Sequence, residues 1–207
     1  MTPLTELTFA QAIGDLTDRE PDLAGAVGRW GAPPFWTHEP GFAGLVLEIL
    51  SQQVSLESAD AAFVKLGERI LPVTPEGFLT LDDTTLKEIG FSRQKTRYVR
   101  GLAEAIVGGA LDLDGIGRMA DGDVRDALLA IKGIGRWTAD TYLLFALRRP
   151  DAWPSGDLAL AKAIQELRGM PAVPSYPDVD AIAEAWQPWR AVAARSLWHA
   201  YLSARGR

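Results

Sequence analysis

The sequence contains no cysteine, which excludes disulfide bonds, a thiol nucleophile and a cysteine-ligated iron–sulfur cluster. Histidine is scarce: His38 and His199 show no HExxH spacing and are too few for a typical zinc site. No uninterrupted apolar run approaches the ~20 residues that a membrane-spanning helix needs. No basic segment followed by an apolar stretch opens the chain, so we expect a protein that is not secreted and has no membrane partner. A location inside the cell is therefore expected, in the cytoplasm of a bacterium or in the nucleus of a eukaryote.

An excess of positive charge is also absent, since the formal net charge of the 207 residues is −6 at pH 7. Phosphate-binding surfaces are usually basic, so this balance is the main feature of the sequence against a nucleic-acid partner. Local placement can outweigh the total, because a few cations and oriented backbone amides act over short, screened distances. The densest basic cluster comprises Arg93, Lys95, Arg97 and Arg100. These side chains would form either a solvated helix surface or a track that binds DNA phosphates.

The alternating pattern of a β-strand is not evident, whereas apolar residues recur at helical spacing along most of the chain. One such apolar face consists of Phe42, Leu45, Val46, Ile49 and Leu50. With 47% hydrophobic and 23% charged residues, the chain has the composition of a globular protein, large enough for one domain or two small lobes. We predict an all-α fold of about nine or ten helices over residues 1–207, with no additional α/β domain in front of it.

Capping residues mark several helix boundaries. Ser55 and Ser92 are typical N-caps, and each precedes a predicted helix. Near the C-terminus, Asp178 is predicted to cap a helix that runs to Trp186, and Pro188 is predicted to begin the final helix.

The sequence Ile131-Lys132-Gly133-Ile134-Gly135-Arg136-Trp137-Thr138-Ala139 lies between two predicted helices, in a motif over residues 123–147. Gly133 and Gly135 permit a tight hairpin with positive φ and close backbone approach, and Ile134 can anchor it in the core. The hairpin would expose the amides that begin the second helix, where the helix dipole favours a phosphate oxygen. Spacing alone equally allows an ordinary helix–helix turn.

This hairpin segment closely resembles the helix–hairpin–helix of the DNA glycosylase superfamily. The Trp-Pro-Ser-Gly-Asp-Leu segment at residues 153–158 resembles the part of that superfamily that carries the catalytic aspartate, and the segment at residues 49–55 resembles a third signature. The three segments occur in the family order, and the resemblance covers most of residues 35–202. Within the superfamily, the sequence is most similar to the alkylation-repair branch, 3-methyladenine DNA glycosylase II.

The resemblance implies a base-excision-repair enzyme that hydrolyses the N-glycosidic bond of alkylated bases in duplex DNA. The bases would be of the 3-methyladenine and 7-methylguanine type, each flipped out of the stack before cleavage leaves an abasic site. The implied architecture is two helical lobes with a DNA-binding cleft between them, the N- and C-terminal helices packing together in the second lobe. A monomer is expected, and the sequence leaves the preferred lesion open.

Asp157 matches the catalytic aspartate of the superfamily. An aspartate after a glycine at a helix start is also a routine N-cap, and the two roles are compatible because the helix dipole favours a negative charge there. Cleavage builds oxocarbenium character on the sugar. A buried anion would stabilise that charge and could orient or deprotonate the attacking water.

Four further positions acquire roles from the resemblance. Trp137 stands where superfamily members with strand-cleaving activity carry a Schiff-base lysine, so a monofunctional enzyme without lyase activity is implied. Trp137 and Trp198 also match aromatic residues that line the base pocket, although core packing would explain both without the family match. Thr141 replaces a pocket tyrosine, which implies a wider or differently selective pocket. Gln53 matches the side chain that wedges into the DNA stack.

The resemblance also assigns DNA binding to the hairpin. The residues concerned are Lys132, Gly133, Ile134, Gly135, Arg136 and Thr138. The hairpin of relatives binds a monovalent cation through backbone carbonyls, which correspond to those of Leu129, Ile131 and Ile134. We therefore expect Na⁺ or K⁺ at the hairpin and no cofactor for catalysis.

Two other classes of function remain open. A non-catalytic helix–hairpin–helix module that reads DNA structure would bind DNA without releasing a base, but it leaves Asp157 and the two tryptophans unexplained. A helical scaffold that never meets DNA is favoured only by the acidic charge balance.

Overall fold

A computed structural model of the chain describes residues 2–206, and Met1 and Arg207 lie outside the described residues. The predicted helical unit, residues 1–207, therefore includes one residue at each end that lies outside the described residues. Within residues 2–206 all regular secondary structure is helical, with thirteen α-helices, one π-helix and one 3-10 helix. The predicted all-α class is confirmed.

The α-helices follow one another as α1 (Glu6–Arg19), α2 (Pro21–Trp30), α3 (Phe42–Ser51), α4 (Leu56–Arg69), α5 (Pro75–Leu79), α6 (Asp83–Ile89), α7 (Arg93–Val107), α8 (Leu113–Ile116), α9 (Asp121–Leu129), α10 (Arg136–Thr141), α11 (Leu158–Arg168), α12 (Tyr176–Ala183) and α13 (Arg190–Ser203). A π-helix (Tyr142–Ala146) continues α10, and a 3-10 helix (Glu184–Trp186) continues α12. The number of α-helices exceeds the prediction because several are very short, among them α5 and α8. No helix within residues 2–206 has the length and apolar character needed to cross a membrane.

The predicted N-caps Ser55 and Ser92 are confirmed, since their hydroxyls accept hydrogen bonds from the first turns of α4 and α7. The two predicted starts near the C-terminus are wrong. Helix α12 is capped by Ser175, with Asp178 inside its first turn, because the preceding Pro177 fits an early helical position. Helix α13 begins only after Trp189, whose N–H closes a turn on the carbonyl of Trp186, so Pro188 precedes the helix.

The chain folds into two compact units, and the first, here called the terminal unit, runs up to Thr37 and resumes at Leu143. It contains α1, α2, α11, α12 and α13, and its core forms around α13, which packs against α1, α2 and α11. Small buried residues allow this close approach, namely Ala191, Ala193, Ala194 and Ala200 of α13. Helices from both ends of the chain therefore share one core.

The centre of the terminal unit holds a buried cation, Arg195 of α13, which has no exposed surface. Its guanidinium carbon lies 5.2–5.7 Å from the centroids of three aromatic rings, those of Phe9, Phe35 and Phe145. Its NH groups donate at 2.8–3.2 Å to three backbone carbonyls, those of Trp36, Leu144 and Ala191. Burial lowers the pKa of Arg195 to about 9, and these contacts offset the loss of water around the charge.

The second unit, here called the central unit, spans His38–Tyr142 and contains α3 to α10. The predicted apolar face of α3 is confirmed, since all five of its residues are buried. The Phe78 ring contacts those of Phe42 and Phe91, with centroids 6.0 and 5.5 Å apart. Because α3 packs against α4, α7 and α10, its C-terminal end is fixed beside the second helix of the hairpin.

Replacing Arg195 with alanine should lower the free energy of unfolding by about 3 kcal/mol, because it leaves a cavity and three carbonyls without their donor. Denaturant titration of both proteins measures this difference. Arg69→Ala is the matched control: that side chain is 54% exposed and pairs with Glu88 at 3.9 Å. Its loss should change the same free energy by no more than about 0.5 kcal/mol. Equal effects of the two substitutions would contradict the central position of Arg195 in the core.

Candidate active site and nucleic-acid interface

The hairpin of the central unit joins α9 to α10 through residues 130–135. Gly133 has φ 101°, which favours glycine, and a Cβ added there would overlap the Tyr98 ring. Gly135 is the N-cap of α10 with φ −90°, and a Cβ there would meet nothing within 4 Å. The expectation of positive φ is therefore confirmed for Gly133 and wrong for Gly135, which has the extended backbone common at N-caps.

The second helix of the hairpin changes type along its length. α10 ends at Thr141, and the chain continues as the π-helix to Ala146, one residue short of the predicted end. Single-turn π-helices of this kind occur frequently at functional sites. The first helix begins at Asp121 and ends at Leu129.

The six predicted DNA-binding residues of the hairpin differ in exposure. Lys132, Gly135 and Arg136 are at least partly exposed. Ile134 is buried and anchors the hairpin as predicted. Thr138 is 2% exposed and its hydroxyl accepts a hydrogen bond from Gln52 at 3.0 Å. A DNA contact by the Thr138 side chain is therefore not supported, because that side chain is turned into the protein.

An ion pair that the sequence does not reveal ties the two hairpin helices together. Asp140 of α10 is completely buried, and its Oδ1 accepts hydrogen bonds from Arg125 of α9 at 2.7 Å. Arg136 Nε lies 3.6 Å from the other oxygen of the same carboxylate. A buried carboxylate needs such partners, so the pair fixes the angle at which α9 enters the turn.

The turn between α3 and α4 carries the predicted wedge residue. Gln53 is exposed and has φ 59°, a left-handed conformation that is uncommon for residues other than glycine. Its neighbour Gln52 donates from Nε2 to the carbonyl of Gly133 at 3.2 Å and to the hydroxyl of Thr138. No sequence pattern indicates that Gln52 reaches the hairpin, because its partners lie far along the chain.

Asp157 of the terminal unit is the N-cap of α11, as predicted, and is partly exposed. Its Oδ1 accepts hydrogen bonds from the N–H of Leu160 at 2.8 Å and from Nε1 of Trp198 at 3.3 Å. Gly156, with φ 83°, turns the chain directly before it. The carboxylate is thus held by a helix start on one side and by an indole on the other.

The loop that leads to Asp157 is held by a second carboxylate, that of Asp180 on α12. Its two oxygens accept hydrogen bonds from Trp153 Nε1 at 2.9 Å and from the Ser155 hydroxyl at 2.6 Å. The Trp153 ring also packs edge-on against Trp186, with centroids 5.5 Å apart. Nothing in the sequence distinguishes Asp180 from the many other acidic residues in predicted helices.

The predicted pocket aromatics lie in different units. Trp198, on α13, is half-buried and stacks on Phe145 of the π-helix, with centroids 5.4 Å apart and planes 18° from parallel. Trp137, on α10, belongs to the central unit and is half-buried. Thr141 has no exposed surface, and its hydroxyl donates to carbonyls of its own helix. The assignment of Thr141 to a base pocket stays a prediction, and its hydroxyl is already engaged by the helix.

The hairpin carbonyls predicted to hold a monovalent cation are backbone groups at the end of α9 and in the turn. Leu129 is the last residue of α9, where carbonyls have no partner within the helix. The carbonyl of Ile131 accepts a hydrogen bond from the N–H of Ile134 at 3.1 Å, and a carbonyl oxygen has a second lone pair. Among residues 2–206 no group of three or more acidic or histidine side chains could hold a metal ion. Carbonyl oxygens of this kind are suitable ligands for a hard cation.

Comparison with known families identifies the class of protein. The family model described as "HhH-GPD superfamily base excision DNA repair protein" matches residues 46–188, which contain all three signature segments. The chain therefore belongs to the helix–hairpin–helix superfamily of base excision DNA repair proteins, and the resemblance seen in the sequence is confirmed.

Individual relatives point to one branch of this superfamily. DNA-3-methyladenine glycosylase 1 of Schizosaccharomyces pombe is 28% identical over 200 residues, which cover 94% of this chain and 88% of the relative. The structure of 3-methyladenine DNA glycosylase from the same yeast, in complex with abasic DNA, superposes with a TM-score of 0.82 at 25% identity, covering 94% of this chain and 97% of that one. A DNA-3-methyladenine glycosidase of Bacillus halodurans gives 0.76 at 27% identity, covering 100% and 95%.

Gly133→Ala should lower the free energy of unfolding by about 2 kcal/mol, because the new Cβ combines an unfavourable φ with overlap of the Tyr98 ring. Gly135→Ala is the matched control in the same turn. Its backbone suits any residue and the space is open, so a loss of no more than about 1 kcal/mol is expected. Thermal denaturation of the two variants measures the contrast. A Gly133→Ala variant as stable as Gly135→Ala would refute this geometry of the turn.

Proposed function

We propose that this chain is a DNA glycosylase that releases N-alkylated purines from duplex DNA by hydrolysis and leaves an abasic site. The observation that carries the proposal is the Asp157 carboxylate, fixed by Leu160 N–H and Trp198 Nε1 beside a stacked pair of aromatic rings. This arrangement occurs in a member of a base-excision superfamily. A relative that matches over most of both chains is named DNA-3-methyladenine glycosylase 1.

The reaction breaks the bond between C1′ of the deoxyribose and the base nitrogen. The base leaves with the electron pair of that bond, which neutralises the positive charge of an N-alkylated purine, so the leaving group needs no protein acid. Positive charge develops on the sugar as the bond breaks, and the Asp157 carboxylate stabilises it. The oxygen of a water molecule then bonds to C1′, and the carboxylate accepts one of the water protons.

The aromatic pair beside Asp157 provides a surface for the base. Phe145 covers one face of the Trp198 indole, and the bond from Nε1 to Asp157 fixes that ring relative to the carboxylate. A cationic base is attracted to an aromatic face by about 1–2 kcal/mol when water is excluded. The selectivity of the pocket is therefore assigned to Trp198 and Phe145.

The central unit contains the residues that we assign to DNA binding. Lys132 lies in the turn and Arg136 is the first residue of α10, and both are exposed. The amides at the start of α10 favour a phosphate oxygen. Gln53, on its strained turn, fills the space of the extruded nucleotide. The local cations and amides support DNA binding in spite of the net charge of −6. We also propose that a Na⁺ or K⁺ ion at the hairpin carbonyls would orient the turn and take no part in the chemistry.

The proposed enzyme is monofunctional. Trp137 has no amine with which to form a Schiff base, and Lys132 lies in the exposed turn of the hairpin, outside α10. The alternative of a non-catalytic DNA-structure reader has less support, because it gives no reason for the Asp157–Trp198 contact. An assay of base release distinguishes the two.

The decisive substitution is Asp157→Asn. The amide oxygen still accepts the bonds from Leu160 and Trp198, so stability should change by no more than about 1 kcal/mol. The lost negative charge should cost ~3–4 kcal/mol in the transition state, which is about a hundred- to a thousandfold in rate. Base release from methylated duplex DNA, affinity for the same DNA and melting temperature are measured on one preparation.

Asp82→Asn is the matched control, because Asp82 caps α6 through the same kind of bond, from the N–H of Thr85 at 2.7 Å. This variant should release bases at the wild-type rate. A wild-type rate in Asp157→Asn would show that Asp157 only caps its helix. DNA binding without base release by the wild-type protein would favour the non-catalytic reader.

The absence of lyase chemistry gives a second test. Product DNA should remain unbroken until it is heated or treated with alkali, because Trp137 stands where a lysine would be needed to form a Schiff base. Gel electrophoresis of end-labelled DNA, with and without alkali, measures the strand breaks. A covalent adduct between protein and DNA after borohydride reduction would contradict the monofunctional assignment.

A further inference from the structure

Gln52 joins the wedge turn to the hairpin turn and to the helix α10 that follows it. It is the C-cap of α3, and its half-buried amide donates two hydrogen bonds, to the carbonyl of Gly133 at 3.2 Å and to the hydroxyl of Thr138 at 3.0 Å. Gly133 lies in the turn of the hairpin, and Thr138 lies in the first turn of α10. The Gln52 side chain therefore contacts one residue before and one residue after the first amides of α10, which are assigned to phosphate binding.

The end of α3 is held from a second direction by α7. Lys95 Nζ donates to the carbonyl of Leu50 at 2.6 Å, and burial lowers the pKa of Lys95. The same helix places the Tyr98 ring against Gly133, and the hydroxyl of Tyr98 accepts a hydrogen bond from Gln94 at 2.7 Å. The last turn of α3 and the hairpin thus rest on a common support.

The residue that follows Gln52 is the strained one. Gln53 has φ 59°, and a left-handed conformation at a residue other than glycine costs free energy that the surrounding contacts must offset. On its far side, Ser55 fixes the chain by capping α4. Gln52 fixes the near side, so the strained backbone of Gln53 is set before any DNA arrives.

We propose that Gln52 is a positioning residue that holds Gln53 in register with the hairpin, so that phosphate binding and wedge insertion occur in one geometry. The inference rests on the proposed function, since it assigns Gln53 to the space of the flipped nucleotide. The amide of Gln52 itself is engaged by Gly133 and Thr138 inside the protein. Its contribution is the ordering of the turn in advance of binding.

Loss of the Gln52 contacts should slow excision most where the damaged base is hardest to flip out of the duplex. Flipping a well-paired base costs more than flipping a mismatched one, so a disordered wedge should slow excision mainly on paired lesions. Gln52→Ala should reduce the single-turnover rate about tenfold on 7-methylguanine opposite cytosine, and about twofold on 7-methylguanine opposite thymine. Gln52→Glu should behave in the same way, because a carboxylate cannot donate to the carbonyl of Gly133.

A double-mutant cycle tests whether Gln52 acts through Gln53. Gln53→Ala should itself lower the ratio of paired to mismatched rates, and adding Gln52→Ala should change that ratio little further. Thr138→Val removes one acceptor while keeping the shape of the side chain, and should reproduce part of the Gln52 effect. Gln165→Ala is the matched control, because its half-buried amide donates to the carbonyl of Met170 at the far end of α11.

The outcomes separate this inference from the proposed function. If the wild-type protein releases no base, the proposed function fails. If the wild-type protein is active and the Gln52 and Thr138 variants keep the wild-type rate ratio, the positioning role is wrong. Equal losses on both substrates, or additive losses in the double variant, would likewise overturn it and assign Gln52 to general stability. A selective, non-additive loss at an unchanged melting temperature supports the inference.

Discussion

A single oxygen atom, Oδ1 of Asp157, carries the constraint on which the candidate active site depends. It accepts the N–H that starts α11 and the N–H of the Trp198 indole, so one atom ends a loop, begins a helix and orients a ring. The surrounding contacts serve the same end: Asp180 holds the loop before it, and Phe145 supports the indole behind it. The position of the charge is therefore fixed by the fold of the terminal unit before a substrate binds, which is what electrostatic catalysis requires.

Local signals were sufficient to predict much of the fold. The buried face of α3 follows from apolar spacing, and the starts of α4, α7 and α11 follow from Ser55, Ser92 and Asp157, because a capping side chain acts on a backbone group only a few residues away. The same locality explains the failures at Asp178 and Pro188. Asp178 is compatible with a helix start, but Ser175 is an equally suitable cap and begins α12 earlier. Pro188 is compatible with one too, but the turn closed by the Trp189 N–H on the Trp186 carbonyl places the start of α13 at Arg190.

The supporting residues of the site could not be predicted, because their partners are distant in sequence. Gln52 meets the hairpin, Asp180 meets the loop before Asp157, and Phe145 meets Trp198 only in the folded chain. A sequence also does not reveal whether a polar side chain bonds inward or faces solvent. Thr138 and Thr141 illustrate this, since both hydroxyls form hydrogen bonds within the central unit that no sequence pattern indicates.

The buried guanidinium of Arg195 limits how the proposed base pocket can be redesigned. The Phe145 ring has this cation 5.2 Å from its centroid and the Trp198 indole stacked on it, so it belongs at once to the core and to the site. Any smaller residue at 145 would remove support from the cation and from the indole together. An engineer who wishes to change the range of bases that the proposed pocket accepts should therefore leave Phe145 unchanged, because a substitution there also alters the packing of the core.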